Sequence, residues 1–516
     1  MNKKFLLCLL LISIKCDTNS YDYTNYAAVS KNTDLSEQTL SSTTSDQSVV
    51  YITESGKTIT NSNIKKESGD SSKTENSEFY GINAAVLVNG GGLTITGGTI
   101  STSATGANAL CTTNNGKVNI SGTKITSTAS SSARGLHATY GGEITASNVE
   151  ISSTGGSCAN LATDRGEGTV TCDECTLSTA GAGSPLIYST GDITVSKTTG
   201  TATKAQAVVV EGKNTATVKE SSNLNCYGLP NAENNIDICG VMLYQSMSGD
   251  ADSGTSTFNC QSSTITIDSQ SSVYDSAPMF FITNTDAMIN LDSCTFTYGS
   301  NIFLKAGRTS RWGSTGSNGG VVTLNLKNQN VVGNFVVDEY SGLTINLENS
   351  SIRGTINSEK TGAKVAINID ESSTITLTGN SYYTSINNGK SDGSNIIKGS
   401  YSFDSYEEKD IERPSGNGGS NPPSGGSGNP PEPPSGGSGN PPEPPSGGSG
   451  NPPSGGSGNP PEPPSGGSGN PPGSSNEGNP TKSSSGNSTE ESSTNGAKGN
   501  KDFIKMILGL MIVLAL

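Results

Sequence analysis

The sequence predicts an all-β chain: a right-handed parallel β-helix followed by a disordered stalk rich in Pro, Gly and Ser. Three features carry this reading. The decamer LTITGGTIST, Leu93 to Thr102, holds aliphatic residues at its first, third and eighth places among small polar ones. The same spacing returns as Val118, Ile120, Ile125; as Ile144, Ala146, Ile151; as Val170, Cys172, Leu177; and, after a loop-rich stretch, as Phe258, Cys260, Ile265. It continues as Ile289, Leu291, Phe296; as Leu324, Leu326, Val331; and as Ile345, Leu347, Ile352. Weaker copies lie at Ile193 and Val195, at Ala216 and Val218, and at Ile59 and Ile64. A second short apolar run, such as AAVLV, RGLHA, AVVV or MFFI, precedes the copies. Finally, hydrophobic residues make up only 30% of the chain, against about 45–50% in ordinary globular domains.

About a dozen repeats of about 21–26 residues, some lengthened by loops, mark the coils of a solenoid. Apolar residues alternating with Thr, Ser or Asn mark strands with one face inward, and gaps rich in Gly, Ser and Asn mark tight corners. Coils stacked as parallel strands rise about 4.8 Å each, so the repeats predict a rod on the order of 55 Å long. The narrow interior accounts for the low apolar content. Each coil needs few inward aliphatics when these stack on the same residues of the next coil.

In chain order, Lys3 and Lys4, the apolar run Phe5 to Ile14 and the return to polarity at Lys15 predict a signal peptide over residues 1–16. Residues 17–48 are polar and read as an N-terminal cap or linker, since the open ends of a solenoid need covering. The β-helix is expected over 49–412, with a second cap around Ser394 to Arg413. Residues 413–500 change to copies of NPPEPPSGGSG and NPPSGGSG, a composition that forms no core and behaves as a semi-flexible spacer. Residues 501–516 end in the apolar stretch Met506 to Leu516, shorter than the roughly 20 residues a spanning helix needs. Together with a polar spacer and the small residues Asn495, Gly496 and Ala497, it has the layout of a GPI-anchor signal, with Asn495 as the candidate attachment residue.

The net charge of −15 disfavours polyanionic partners, nucleic acid above all. Most of the 10 cysteines lie between Cys111 and Cys294, and secretion permits disulfides. Cys226 and Cys239 flank a polar loop that they are candidates to close. CDEC, Cys172 to Cys175, lacks a second Cys-x-x-Cys and reads as a core cysteine or a local disulfide rather than a zinc site. Candidate N-glycosylation sites are Asn119, Asn349 and Asn487.

Catalytic signals are fragmentary. ITNTDA carries Asn284 and Asp286 without the partner motifs of a polygalacturonase, and RTSRWGSTGSNGG offers Arg308, Arg311 and the only tryptophan, Trp312. A sole tryptophan beside arginines suits either stacking on a sugar ring or covering a gap beside the core. The acids Asp164, Asp192, Glu211, Asp250, Asp252, Asp286, Asp338 and Glu339 all follow the second apolar run, so they are expected along one edge of the rod. Such an edge is a solvated acidic rim, a glycan contact or, through Asp250, Asp252 and Asp286, a Ca²⁺ site, since Ca²⁺ takes several oxygen ligands.

At LATDRGEGTV, SPLIYSTGDITVS, VVVEGKNTATV, GVMLYQSMSGDADSGTSTF, FFITNTDAMINL and RWGSTGSNGGVVTL the chain resembles the microbial adhesin-like, right-handed β-helix repeat proteins, over roughly Val49 to Ser400. The resemblance implies a secreted or surface-displayed β-helix and assigns no catalytic residues. The expectation is therefore a tethered surface protein that binds glycans, cell-wall polysaccharide or another cell surface. Its candidate contacts are Asp164, Arg165, Tyr188, Glu211, Tyr244, Asp250, Asp286, Arg311 and Trp312. The alternatives are a polysaccharide lyase or glycoside hydrolase of the pectin-lyase-like fold, or a structural wall or spacer protein.

Overall fold

The computed structural model describes residues 19–230 and 237–411. They form a parallel β-helix. Every named strand pairing is parallel, and the strands sort into three long faces of 12, 14 and 10 strands, with a four-stranded sheet taking the third position in the last coils. Successive strands of the chain fall on the first, second and third faces in turn, and the chain then returns to the first face one coil further along. The 14 stacked strands of the second face give a rod about 60 Å long at roughly 4.8 Å per rung. The signal peptide, the Pro/Gly/Ser stalk and the anchor segment lie outside the described residues, as do Asn487 and Asn495.

The three-point sequence pattern becomes three ladders. Its first residues stack as Leu93, Val118, Ile144, Val170, Ile193, Ala216, Phe258, Ile289, Leu324 and Ile345. Its second residues stack two places along the same strands, and its third residues form the inward column of the third face, from Ile64 and Ile100 through Leu177 to Phe296. The preceding apolar runs supply the first face, where Val86, Leu110, Leu136, Leu161, Ile187, Val208 and Val241 are in register and fully buried. Coil length varies from 19 residues, between Ile367 and Ile386, to 42, between Val218 and Cys260. The register survives because the extra residues leave as loops.

Corners between the second and third faces repeat one device. One residue, or a pair as at Gly97–Gly98 and Glu220–Ser221, takes left-handed backbone, the single cases including Gly122, Asn148, Glu174, Lys197, Ser262, Ser293, Asn328 and Asn349. Glycine and asparagine adopt this conformation at least cost. At several corners the residue just before the third-face strand points a short polar side chain inward, and its oxygen accepts the backbone N–H of the coil before it. Thr198 serves Cys175 at 3.4 Å, Ser222 serves Thr198 at 3.1 Å, Ser350 serves Gln329 at 3.0 Å and Ser373 serves Ser350 at 2.9 Å. Buried corner donors are thereby satisfied without water.

The outer side of the second face carries a ladder of amides. The Nδ2 groups of Asn290, Asn325, Asn346 and Asn368 each donate to the Oδ1 of the previous Asn, beginning at Asn259, over 2.7–2.8 Å. Such amide ladders add to the backbone pairing between stacked strands. Asn259, Asn290, Asn325 and Asn346 line a shallow trough of about 750 Å³ together with Lys219, Lys327 and Glu348.

The N-terminal boundary differs from the expectation. Ala28–Lys31, Leu35–Ser36 and Thr39–Ser42 already form a coil and pair with Ser48–Ile52, Lys57–Thr60 and Asn63–Lys66. Residues 28–42 are therefore solenoid rather than cap or linker. Leu35 and Leu40 are the only large aliphatics facing inward there, too few for the spacing to register. At the other end the rod closes through Ser381–Tyr383 and Phe403–Ser405, where Tyr383 packs on Phe403 at 4.6 Å.

Phe280 lies at the centre of the widest part of the core, within 5.3–5.8 Å of the Phe258, Phe296 and Phe303 rings. Phe280→Ala is expected to cost about 3–5 kcal/mol. The outward Thr194→Ala is expected to change stability by no more than about 0.5 kcal/mol. Urea unfolding followed by fluorescence of the sole tryptophan measures both, and equal effects would contradict the inward–outward assignment.

Candidate ligand-binding cleft

The first face is unusual because its outer side is also covered. Alternate residues point outward, giving a column from Cys111 and His137 through Ala162, Tyr188, Val209, Met242 and Phe281 to Lys305. The helix α1 (Thr74–Tyr80) and the loops around residues 245–254 and 308–319 are inserted between strands, and the column beneath them is largely buried.

Near α1 the column carries a closed charge network. Arg134 Nη2 reaches Asp164 Oδ2 at 3.2 Å and Glu78 at 3.5 Å. Asn108 donates to the Ser77 carbonyl at 2.9 Å and accepts from the Arg134 backbone N–H at 2.9 Å, which fixes its amide orientation. Its Nδ2 therefore donates to His137 Nδ1 at 3.0 Å, leaving the imidazole proton on Nε2, 3.7 Å from Asp164. Burial and then the neighbouring Arg134 cation hold the His137 pKa well below the ordinary imidazole value, so the ring is neutral. Cys111 Sγ lies 3.6 Å from the same Nδ1, but burial pushes its thiol up and it is fully enclosed. The pair is packing, not a nucleophile. Burial also raises the Asp164 carboxyl to about 6, with Arg134 opposing the rise.

Two coils along, Glu211 accepts from Tyr188 Oη at 2.5 Å and from Tyr244 Oη at 2.7 Å. Burial raises its pKa, against the pull of Ser246 and the two tyrosines. Arg165 pairs with Asp250 at 2.7 Å and stacks on Phe79 at 3.9 Å, sealing the row from above. The structure thus brings Asp164, Arg165, Tyr188, Glu211, Tyr244 and Asp250 together, but not as an open acidic edge. Asp164 and Glu211 are only 3% and 1% exposed; Asp164 faces Arg134 and the Arg165 backbone N–H, and Glu211 Oε2 takes both tyrosine hydroxyls while Oε1 has no hydrogen-bond partner. The covering segments come from insertions whose destination the repeat spacing does not encode.

The proposed Ca²⁺ ligands do not converge. Asp250 is held by Arg165, Asp252 is paired with Lys213 at 3.0 Å, and Asp286 begins a second-face strand opposite Thr255. Among the described residues no three acidic, histidine or cysteine side chains cluster as a metal site. Asn284, of ITNTDA, takes left-handed backbone and donates to the Gln245 carbonyl at 2.8 Å, a corner role.

The far end of the same face opens into a cleft of about 260 Å³. Its most telling group is Asp237. Trp312 Nε1 and Arg311 Nη1 each donate to Asp237 Oδ2 at 3.2 Å, while Oδ1 has no hydrogen-bond partner although the residue is 95% buried. Burial raises this carboxyl, with Arg311 and Trp312 drawing it back. Phe281, Ile238 and Pro278 supply an apolar wall, Ser276, Thr309 and Ser310 supply hydroxyls, and Lys305 and Arg308 supply cations, the Lys305 Nζ lying 5.3 Å above the Phe281 ring. The loop is anchored by Asn318, whose Nδ2 donates to the carbonyls of Thr309 and Trp312 at 2.7 Å. Trp312 also packs against Tyr244 at 5.0 Å.

Of the candidate contacts, Arg311 and Trp312 reach this cleft through their bonds to Asp237 Oδ2, while the arginine that lines it is Arg308. Asp237 and Lys305 escaped the sequence reading. Lys305 left a signal, a lone cation in the apolar run NIFLKA; Asp237, in a polar loop, left none.

The expected Cys226–Cys239 bridge is absent, and both thiols are free and buried. Cys226 points into the core in register with Ala202 and Ile267, whereas Cys239 packs outside the first face with Val209, Met242 and Phe281. Among the described residues the disulfide is Cys260–Cys294, which ties adjacent coils. Asn119 points outward and is exposed between the inward Val118 and Ile120, and Asn349 is exposed at a corner. No helix among the described residues is long and apolar enough to cross a membrane.

No protein-family model matches the chain, and neither a curated protein nor a solved structure matches it.

The Asp164 network gives a pH signature. Folding raises this carboxyl above its unfolded value near 3.9, so the folded chain binds the extra proton between about pH 4 and about pH 6, and stability falls as pH rises through that window. Asp164→Asn removes the titration while Arg134 keeps Glu78. The variant's urea midpoint relative to the parent is expected to climb across the window and level off above it. A pH-independent difference would contradict the assignment.

Proposed function

We propose that the protein is a secreted, surface-tethered rod that binds glycans through the cleft at Asp237, Arg311 and Trp312. The observation that carries this reading is the orphaned Asp237 Oδ1. A buried acceptor without a donor costs free energy in the empty cleft, and a sugar hydroxyl supplies that donor. The surroundings fit the same ligand. Two fixed N–H donors orient the carboxylate, hydroxyls and a cation face it, and an apolar wall with an indole beside it suits the C–H face of a sugar ring. The leader-like start, the Pro/Gly/Ser segment and the short apolar end support display at a cell surface, and the resemblance to adhesin-like β-helix proteins supports attachment as the purpose.

One observation favours a hydrolase instead. Asp164 and Glu211 share an outward column two rungs apart, roughly 10 Å, near the carboxylate separation of inverting glycosidases. Against it, both are sealed under Arg165, Asp250 and α1, with no room for water and a glycosidic oxygen between them.

Glycan-array binding of the parent chain tests the proposal. Asp237→Asn and Trp312→Ala are expected to weaken binding about tenfold or more, and adding Ca²⁺ is expected to leave it unchanged. Absence of binding, or binding insensitive to both substitutions, would overturn the cleft. New reducing ends from polysaccharide, lost in Glu211→Gln, would establish the hydrolase.

A further inference from the structure

Cys172 and Cys175 are buried thiols with no part in the cleft. Cys172 points into the core from the second-face strand Thr169–Asp173, and Cys175 follows the left-handed corner residue Glu174 and precedes the third-face strand Thr176–Thr179. Three residues apart across one corner, both are enclosed, and Cys175 Sγ donates to the Asp173 carbonyl at 3.5 Å. The same two columns recur elsewhere in the rod. Register places Cys172, Val195, Val218 and Cys260 in one inward ladder. Cys294 directly follows the left-handed Ser293 and precedes the strand Thr295–Thr297, the corner place of Cys175. These columns are the ones that the Cys260–Cys294 disulfide bridges, there between neighbouring coils. Among the other described cysteines, Cys226 and Cys239 lie on opposite sides of the first face, and Cys158 packs with Ala129 and Ala133.

We infer that Cys172 and Cys175 close into a second disulfide when the chain folds under oxidising conditions, clipping the corner within one coil. The reaction is thiol–disulfide exchange with a small-molecule disulfide such as glutathione disulfide. One cysteine thiolate attacks the reagent, forming a mixed disulfide and releasing one glutathione thiolate. The second cysteine thiolate then displaces the other glutathione, leaving the Cys172–Cys175 bond. Both electrons and both protons end on the reagent, now two thiols. Because both sulfurs are enclosed in the finished rod, exchange takes place while the coil is still open.

The test is a peptide map of the full chain, refolded in a glutathione and glutathione disulfide buffer, denatured without reductant and alkylated. The peptide between Arg165 and Lys197 is expected to be lighter by two hydrogens and unlabelled, while Cys226 and Cys239 take the label. In Cys175→Ser, the remaining Cys172 is expected to take the label or carry glutathione. Labelling of both Cys172 and Cys175 in the parent, or a link from either to a different cysteine, would overturn the inference. The same map of chain secreted by cultured eukaryotic cells bears separately on the secretory route: loss of both the Cys260–Cys294 and the Cys172–Cys175 links there, with both present after refolding, would count against secretion and not against the clip.

Discussion

The register between coils is the constraint on which the rest of this molecule depends. Parallel pairing at each rung fixes which residues face inward, and identical or similar aliphatics stack through the whole length of each face. A slip by one residue would turn a whole inward column out to solvent. This is why a chain with so few apolar residues holds a continuous core, and why coils of 21 and of 42 residues coexist in one stack. Length is absorbed outside the ladder, never within it.

The corners make that register tolerable for the backbone. Most turns between the second and third faces carry one or two left-handed residues and bury a corner N–H, and at several of them a Ser or Thr of the following coil returns an oxygen to that donor. Polar ladders inside the corners and amide ladders outside the second face tie each coil to the next in addition to the sheet bonds. The Cys260–Cys294 disulfide bridges two of these columns, and Cys172 and Cys175 of CDEC occupy the same two.

Function concentrates where insertions break the monotony. On the first face, α1 and two loops settle over an outward column, converting one end into a sealed charge network and the other into an open cleft. The difference is one of access. Glu211 Oε1 and Asp237 Oδ1 both lack a hydrogen-bond partner, but Glu211 is closed in by Tyr188 and Tyr244, whereas Asp237 lines an open cleft with Lys305 and Arg308. The winding and its inward residues were legible because they follow from a period, and Leu93, Ile95 and Ile100 announce their places by spacing alone. The site was legible only at Arg311 and Trp312, whose residue types stand out. Burial of Asp164, separation of Cys226 from Cys239 and convergence of Asp237 with Lys305 depend on where long loops land, and no short-range pattern encodes that. The coil at residues 28–42 was missed for the opposite reason, since the local geometry repeats there but the aliphatic markers do not.

The most direct measurement is hydrogen–deuterium exchange of the full chain with and without a bound oligosaccharide. The account predicts slow exchange along the core strands in both states and added protection confined to residues 237–244, 276–281 and 305–318. Protection on the amide trough of the second face instead, or fast exchange through the inward ladders of the free chain, would contradict it.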